Sequence, residues 1–278
     1  MEGSQAPASD SSTPEGAQAE QRAKQVKQAE LTSIVAGPRS TTKPAYELTI
    51  ETDVPILGIG LVLAGSRLVR TQPAYCAPLC DRNDLNALDR ATAGSWRTGW
   101  STASDVGVFS LIGGAAIVLA VDESPWSALN DAVVIAESAI MATGFSAILS
   151  LASARPRPFL YGTKAPLDER NSANAGLSFT SSHASVSFAL VTSLYMTEHR
   201  LHPAEAFPYV LLGAGLAVAS FVATARVLAG RHFITDVAGG AVVGTSVGIL
   251  VPALHGSPVE VVPTATKEAG AVSVVGMF

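Results

Sequence analysis

Apolar stretches recur along the chain from about residue 54, separated by short polar interruptions, after a polar stretch over the first 44 residues. They lie near 54–69, 105–121, 129–154, 182–197, 207–225 and 235–254. Their length, their Ala and Leu content and the absence of period-two alternation predict helices, not strands. Residues 206–225 carry no charge, which is enough to cross a bilayer core of about 20 residues, and 237–254 come close. The segment at 54–69 is uncharged only as far as Ser66, and the one at 129–154 contains Glu137. Small residues are frequent (Gly113, Gly114, Gly213, Gly215, Gly239, Gly240, Gly244, Gly248), a composition that lets helices in a membrane approach closely. The pattern predicts an all-α transmembrane bundle of six helices. The alternative is a soluble core of buried helices, kept open by the runs near the lower length limit.

The flanks read differently. Residues 1–44 are rich in Ser, Ala, Gln, Glu and Pro and cannot bury enough surface to offset their ordering entropy, so a disordered tail is expected. Residues 45–256 form the expected helical domain. The extension at 257–278 contains two short β-type runs around residues 267–270, which predicts a small hairpin, with the stretch at 46–52 (YELTIET) as a candidate partner strand.

Composition narrows the function. Apolar residues make up 48% of the chain and charged residues 15%, greasier and less charged than an average soluble domain. A net charge of −5 without a basic stripe excludes nucleic acid as a partner. Cys76 and Cys80 are the only cysteines; a disulfide and two free thiols remain equal alternatives, and the pair offers too few ligands for zinc. The stretch 81–90 has the Asp spacing of a calcium loop but lacks its turn Gly and its terminal Glu, so it is rejected as one. Lys and Arg fall on both faces of the alternating topology and do not orient it.

Charge inside so apolar a chain is costly and therefore informative. Three clusters stand out: Arg155-Pro156-Arg157-Pro158, Ser178-Phe179-Thr180-Ser181-Ser182-His183, and the stretch from Ala225-Arg226 to His232 and Asp236. Alternate crossings place all three at one membrane face. Arg157 and Arg226 offer forked donors for phosphate oxygens. Ser181 and Ser182, at the start of a helix, provide an anion cradle. His232 and Asp236 are four apart, so on a helix the carboxylate would bond one ring nitrogen and leave the other free to attack phosphorus. His183 would protonate the leaving oxygen and later activate water. With two arginines to meet the charge, neither metal nor cofactor is required.

These clusters resemble the motifs of the type 2 phosphatidic acid phosphatase (PAP2) superfamily. Its third motif, Ser-Arg-x5-His-x3-Asp, is matched by Ala225-Arg226, His232 and Asp236. The second, Pro-Ser-Gly-His, is matched by Thr180-Ser181-Ser182-His183, and the first, Lys-x6-Arg-Pro, by Arg157-Pro158. The resemblance implies catalytic His232, His183 and Asp236, phosphate binding by Arg157, Arg226, Ser181 and Ser182, and no metal. It also implies a multi-pass membrane phosphatase acting on a lipid phosphate or diphosphate at the periplasmic or extracytoplasmic face. Three positions depart: Ser150 replaces the motif Lys, Ser182 the Gly and Ala225 the Ser. Arg155 and Arg231 are the candidates to supply the lost charge. A phosphotransferase would share the first chemical step, a silent lipid-phosphate-binding relative would explain Ser150, and a vanadium haloperoxidase would use the same cradle.

Overall fold

From residue 50 on, the apolar runs close into helices whose ends are set by local chemistry. The computed structural model describes residues 21, 22, 24, 25, 43–256, 260–265 and 270–275. Among these are eight α-helices: α1 (Ile50–Gly65), α2 (Ala87–Arg90), α3 (Thr98–Asp122), α4 (Pro125–Ser153), α5 (Leu167–Arg170), α6 (Ser182–Leu201), α7 (Phe207–Leu228) and α8 (Ile234–Gly256). The expected tail at 1–44 lies almost wholly outside the described residues. Strands β1 (Glu260–Ala265) and β2 (Gly270–Val275) pair antiparallel, and residues 266–269, where the hairpin turn was expected, lie outside them. The stretch at 46–52 is not a partner strand, because Ile50–Thr52 already belong to α1.

Among the described residues, five segments are long and apolar enough to cross a membrane: Ile50–Val69, Thr98–Asp122, Pro125–Tyr161, Phe207–Leu228 and Ile234–His255. The architecture is that of a multi-pass membrane protein. Large apolar side chains such as Val62, Phe109, Ile117, Phe221 and Val242 face outward, which suits hydrocarbon and would be a liability in water. The expected segment at 182–197 does not meet the apolar criterion, for a physical reason. Helix α6 packs against α3, α4, α7 and α8, and its Ser185, Ser187, Ser193 and Thr197 are fully buried. A helix enclosed by other helices has no need of a lipid-facing surface. Close approach is built in: a Cβ on Gly244 of α8 would stand 2.1 Å from the Ser185 carbonyl oxygen of α6.

Helix ends deliver the polar clusters. Ser124 caps α4 through a hydroxyl that accepts from Ser127 N–H, with Pro125 opening the first turn. Ala154 ends α4 in a left-handed conformation, and the two prolines that follow prevent its continuation. Arg155 and Arg157 therefore leave the helix as an extended pair. Ser181 caps α6, and Gly230 turns the chain between α7 and α8 with a positive φ of 75°. Any side chain there would strike the Ser95 carbonyl, so only Gly lets that turn meet the segment ahead of α3. Between α1 and α3, Cys76 and Cys80 are joined by a disulfide. Cys80, Leu85, Phe159, Leu160, Tyr161 and Phe233 form a small apolar core beside the ends of α4 and α7.

Candidate active site

His232 sits in the turn before α8, buried to 3% exposure. Its Nδ1 lies 2.8 Å from the carbonyl oxygen of Ser178. A carbonyl only accepts, so the proton is on Nδ1 and the lone pair is left on Nε2. Burial, and then the charges of Arg157 and Arg226, hold His232 well below the ordinary histidine pKa, against the pull of the Ser178 carbonyl. The imidazole is therefore neutral.

This corrects the expected pairing of His232 with Asp236. Helix α8 begins only at Ile234, so the two do not share helical geometry, and Asp236 Oδ2 stands 3.9 Å from Nδ1. Asp236 instead accepts from the Ser178 hydroxyl at 2.5 Å and from Phe233 N–H at 2.8 Å. Its other oxygen accepts from Arg155 at 2.5 Å. Ser178 thus connects the two: its hydroxyl is fixed by Asp236 and its carbonyl orients His232.

Arg155 is occupied elsewhere. It bonds Asp236 and Thr235 with one nitrogen and Asp89 with the other, and it stacks on Phe233. Arg231 forms a two-point ion pair with Glu169 and lies over Trp96. Neither is free to take the place of the missing Lys, contrary to expectation. A different residue stands there. Arg67, just past α1, donates to the Ser150 hydroxyl at 2.5 Å and to the Ser146 carbonyl at 3.2 Å. Its Nε is buried without a partner, and it lies within electrostatic reach of Arg157, as do Arg226 and Arg231. Arg157 and Arg226 each keep a buried, unpaired Nε. Arg226 donates to Ser101 and Ser104 of α3, with Asp105 4.0 Å away. Arg157 and Arg226 thus lie within electrostatic reach of His232, and Arg67 within reach of Arg157.

His183 occupies the first turn of α6, and its Nε2 lies 2.8 Å from Asp105 Oδ1. Ser182 donates to Ser146 at 3.3 Å, and its N–H, in the first helical turn, has no acceptor within the helix. Ser181 is more committed. Its N–H donates to the Asp236 carbonyl and its hydroxyl receives a long 3.5 Å cap bond from Ala184.

No curated protein matches the chain. Residues 131–258 match the family model described as PAP2 superfamily, a span that contains both arginines of the 155–158 turn, His183, Arg226, His232 and Asp236. The chain is also similar to the crystal structure of the first transmembrane PAP2 type phosphatidylglycerolphosphate phosphatase from Bacillus subtilis. The identity is 19%, the match covers 73% of this chain and 95% of that one, and the TM-score is 0.44. Arg67 and Asp105 lie outside the PAP2 match, and that explains why motif reading missed them. Both are charges near the end of an apolar run, a signal available in the sequence. Ser178 works through its backbone carbonyl, which no residue pattern announces.

Proposed function

We propose that the chain hydrolyses a lipid phosphate or diphosphate through a phosphohistidine at His232. The observation that carries this reading is the neutral His232 ring, with Nδ1–H held by Ser178 and Nε2 left to attack beside Arg157 and Arg226. In the first step Nε2 bonds to phosphorus, the P–O ester bond breaks, and the leaving alkoxide takes a proton from His183, whose pKa burial and the charge of Arg226 lower to about 4 against the pull of Asp105. In the second step water attacks phosphorus, its proton passes to His183, the N–P bond breaks and phosphate departs. The guanidinium groups meet the charge on the transferring phosphoryl group, the part a metal plays at other sites.

Two further observations support substrate class and face. Below Ser101, Ser104 and Asp105, the same helix α3 lines an apolar pocket with α6 and α7, bounded by Leu111, Gly114, Leu190, Val191 and Gly215, which suits an acyl or isoprenyl chain. The Cys76–Cys80 disulfide lies on the site's side of the bundle, where Cys80 N–H donates to the Leu160 carbonyl. A disulfide persists in an oxidising compartment, which favours the extracytoplasmic face. The silent-binder reading rested on Ser150, and Arg67 beside it removes that motive.

The test is phosphate release by detergent-solubilised protein from phosphatidate, an isoprenyl diphosphate and an aryl phosphate, with and without vanadate. Turnover inhibited by vanadate and lost in His232→Ala is expected, together with a trapped acid-labile phosphoprotein in the wild type. Turnover retained in His232→Ala would sink the mechanism.

A further inference from the structure

At the end of the bundle away from His232, Asp122 closes α3, Glu198 lies in the last turn of α6, and His202 follows that helix. All three are buried, at 2%, 0% and 7% exposure, and their ligand-type atoms lie within 4.8 Å of one another. His202 Nε2 is 2.8 Å from Asp122 Oδ2. Both oxygens of Glu198 and the second oxygen of Asp122 have no hydrogen-bond partner. Next to them Glu123, at 4% exposure, faces the Asp131 carboxyl. Asp131 is satisfied, accepting from the N–H groups of Ala45 and Tyr46.

Buried carboxylates are ordinarily paired or bound to a metal, because leaving water uncompensated is costly. A second group in the bundle sets its imidazole between two carboxylates, although both Glu137 oxygens lack a hydrogen bond there too. His255 stands 3.1 Å from both Asp53 and Glu137, its Nδ1 donates to the Val251 carbonyl, and Asp53 also accepts from Thr49 N–H. One imidazolium there serves two carboxylates. At Asp122 and Glu198 one imidazole, already joined to Asp122 and 3.5 Å from Glu205, faces an oxygen pair that nothing holds.

We propose that Asp122, Glu198 and His202 bind a divalent transition-metal cation, Zn²⁺ or Mn²⁺, that clamps the ends of α3 and α6. Two carboxylate oxygens and one imidazole nitrogen match the ligand preferences of these ions, and water would complete the coordination. The role is structural, since the site is separate from the arginines that meet the phosphate. The unpartnered oxygens then acquire a partner, and two positive charges offset the acidic cluster.

The experiment uses untagged full-length protein in detergent, stripped with chelator, then incubated with ZnCl₂ or MnCl₂ and desalted. About one metal per chain by elemental analysis is expected, with a rise in Tm of roughly 5–10 °C at a hundredfold excess over Kd. The stoichiometry and the rise are lost in Glu198→Gln and in His202→Gln, and both are kept in His232→Ala, which excludes binding at the active site. The Mn²⁺ form gives an electron paramagnetic resonance signal with imidazole nitrogen coupling, readable on the wild type alone if the variants fail to fold. No retained metal and an unchanged Tm in the wild type would overturn the proposal and leave protonated carboxyls as the account of the cluster. Equal binding by Glu198→Gln would overturn it as well.

Discussion

Replacing Arg67 by Gln separates phosphate recognition from stability more cleanly than any other change in the site. The Arg67 guanidinium donates to the Ser150 hydroxyl and the Ser146 carbonyl, and its Nε is unpaired. Ser150 itself donates to that same Ser146 carbonyl at 2.5 Å, so removing Arg67 leaves neither group without a partner. Stability should therefore change by no more than about 1 kcal/mol. What is lost is a charge-assisted bond to the phosphoryl group, about 1.5–3 kcal/mol, or on the order of 10- to 150-fold in kcat/KM. Vanadate inhibition should weaken by a similar factor, because vanadate occupies the same cradle. Ser150→Lys in the Arg67→Gln background should recover part of the loss. The same change in the presence of Arg67 should impair the enzyme, because two cations would then crowd one buried position. The assay is steady-state hydrolysis of the preferred lipid phosphate with a vanadate titration, beside a thermal melt. If Arg67→Gln kept kcat/KM and vanadate affinity within threefold of wild type, the assignment of Arg67 to the phosphate would be wrong.

Four other outcomes follow from the geometry. Ser178→Ala removes the hydroxyl held by Asp236 but keeps the carbonyl on His232, so kcat should fall by roughly tenfold or less, whereas Asp236→Asn breaks a buried ion pair and should cost about 3 kcal/mol of stability as well as activity; melts and turnover on the two variants decide. Because His232 is held below its ordinary pKa, unfolding takes up a proton the folded site refuses, so stability should fall as pH drops below about 6.5, and a flat Tm between pH 8 and 5 would contradict this. Arg157→Gln removes one of the charges that depress His232, so the acid limb of kcat/KM should move to higher pH, read from a pH–rate profile. Gly244→Val places atoms against the α6 backbone 2.1 Å away and should cost more than the about 1–3 kcal/mol of ordinary overpacking; a Tm equal to wild type would deny the close approach.

Sequence pattern located the helices because uncharged runs and their Pro or Ser boundaries are local signals: Ala154 to Pro158 and Ser181 each mark a true helix end. It also brought Arg157, His183, Arg226 and His232 to one face by counting crossings. Two errors share a cause. Pairing His232 with Asp236 assumed that α8 had already begun, and helix starts are set by one or two residues that periodicity does not resolve. Assigning the missing charge to Arg155 or Arg231 favoured sequence neighbours, while Arg67 reaches Ser150 across 83 positions of chain. The carbonyl of Ser178 was illegible for a different reason, since every residue has one and only the fold chooses which is used.

The polar character of α6 bears on how the protein reaches its membrane. A translocating channel sorts segments by their own transfer free energy, and a stretch with this many hydroxyls and a Glu is a poor candidate for entry by itself. Its place among α3, α4, α7 and α8 implies that it enters the bilayer with the help of partners, the later of which are still unmade when it leaves the ribosome. Chains halted after residue 201 should accordingly leave this segment accessible to water-soluble reagents, and synthesis of α7 and α8 should withdraw it. Assembly of the site around His232 is then the last event of biogenesis, and on the proposed mechanism a half-inserted chain holds no competent nucleophile.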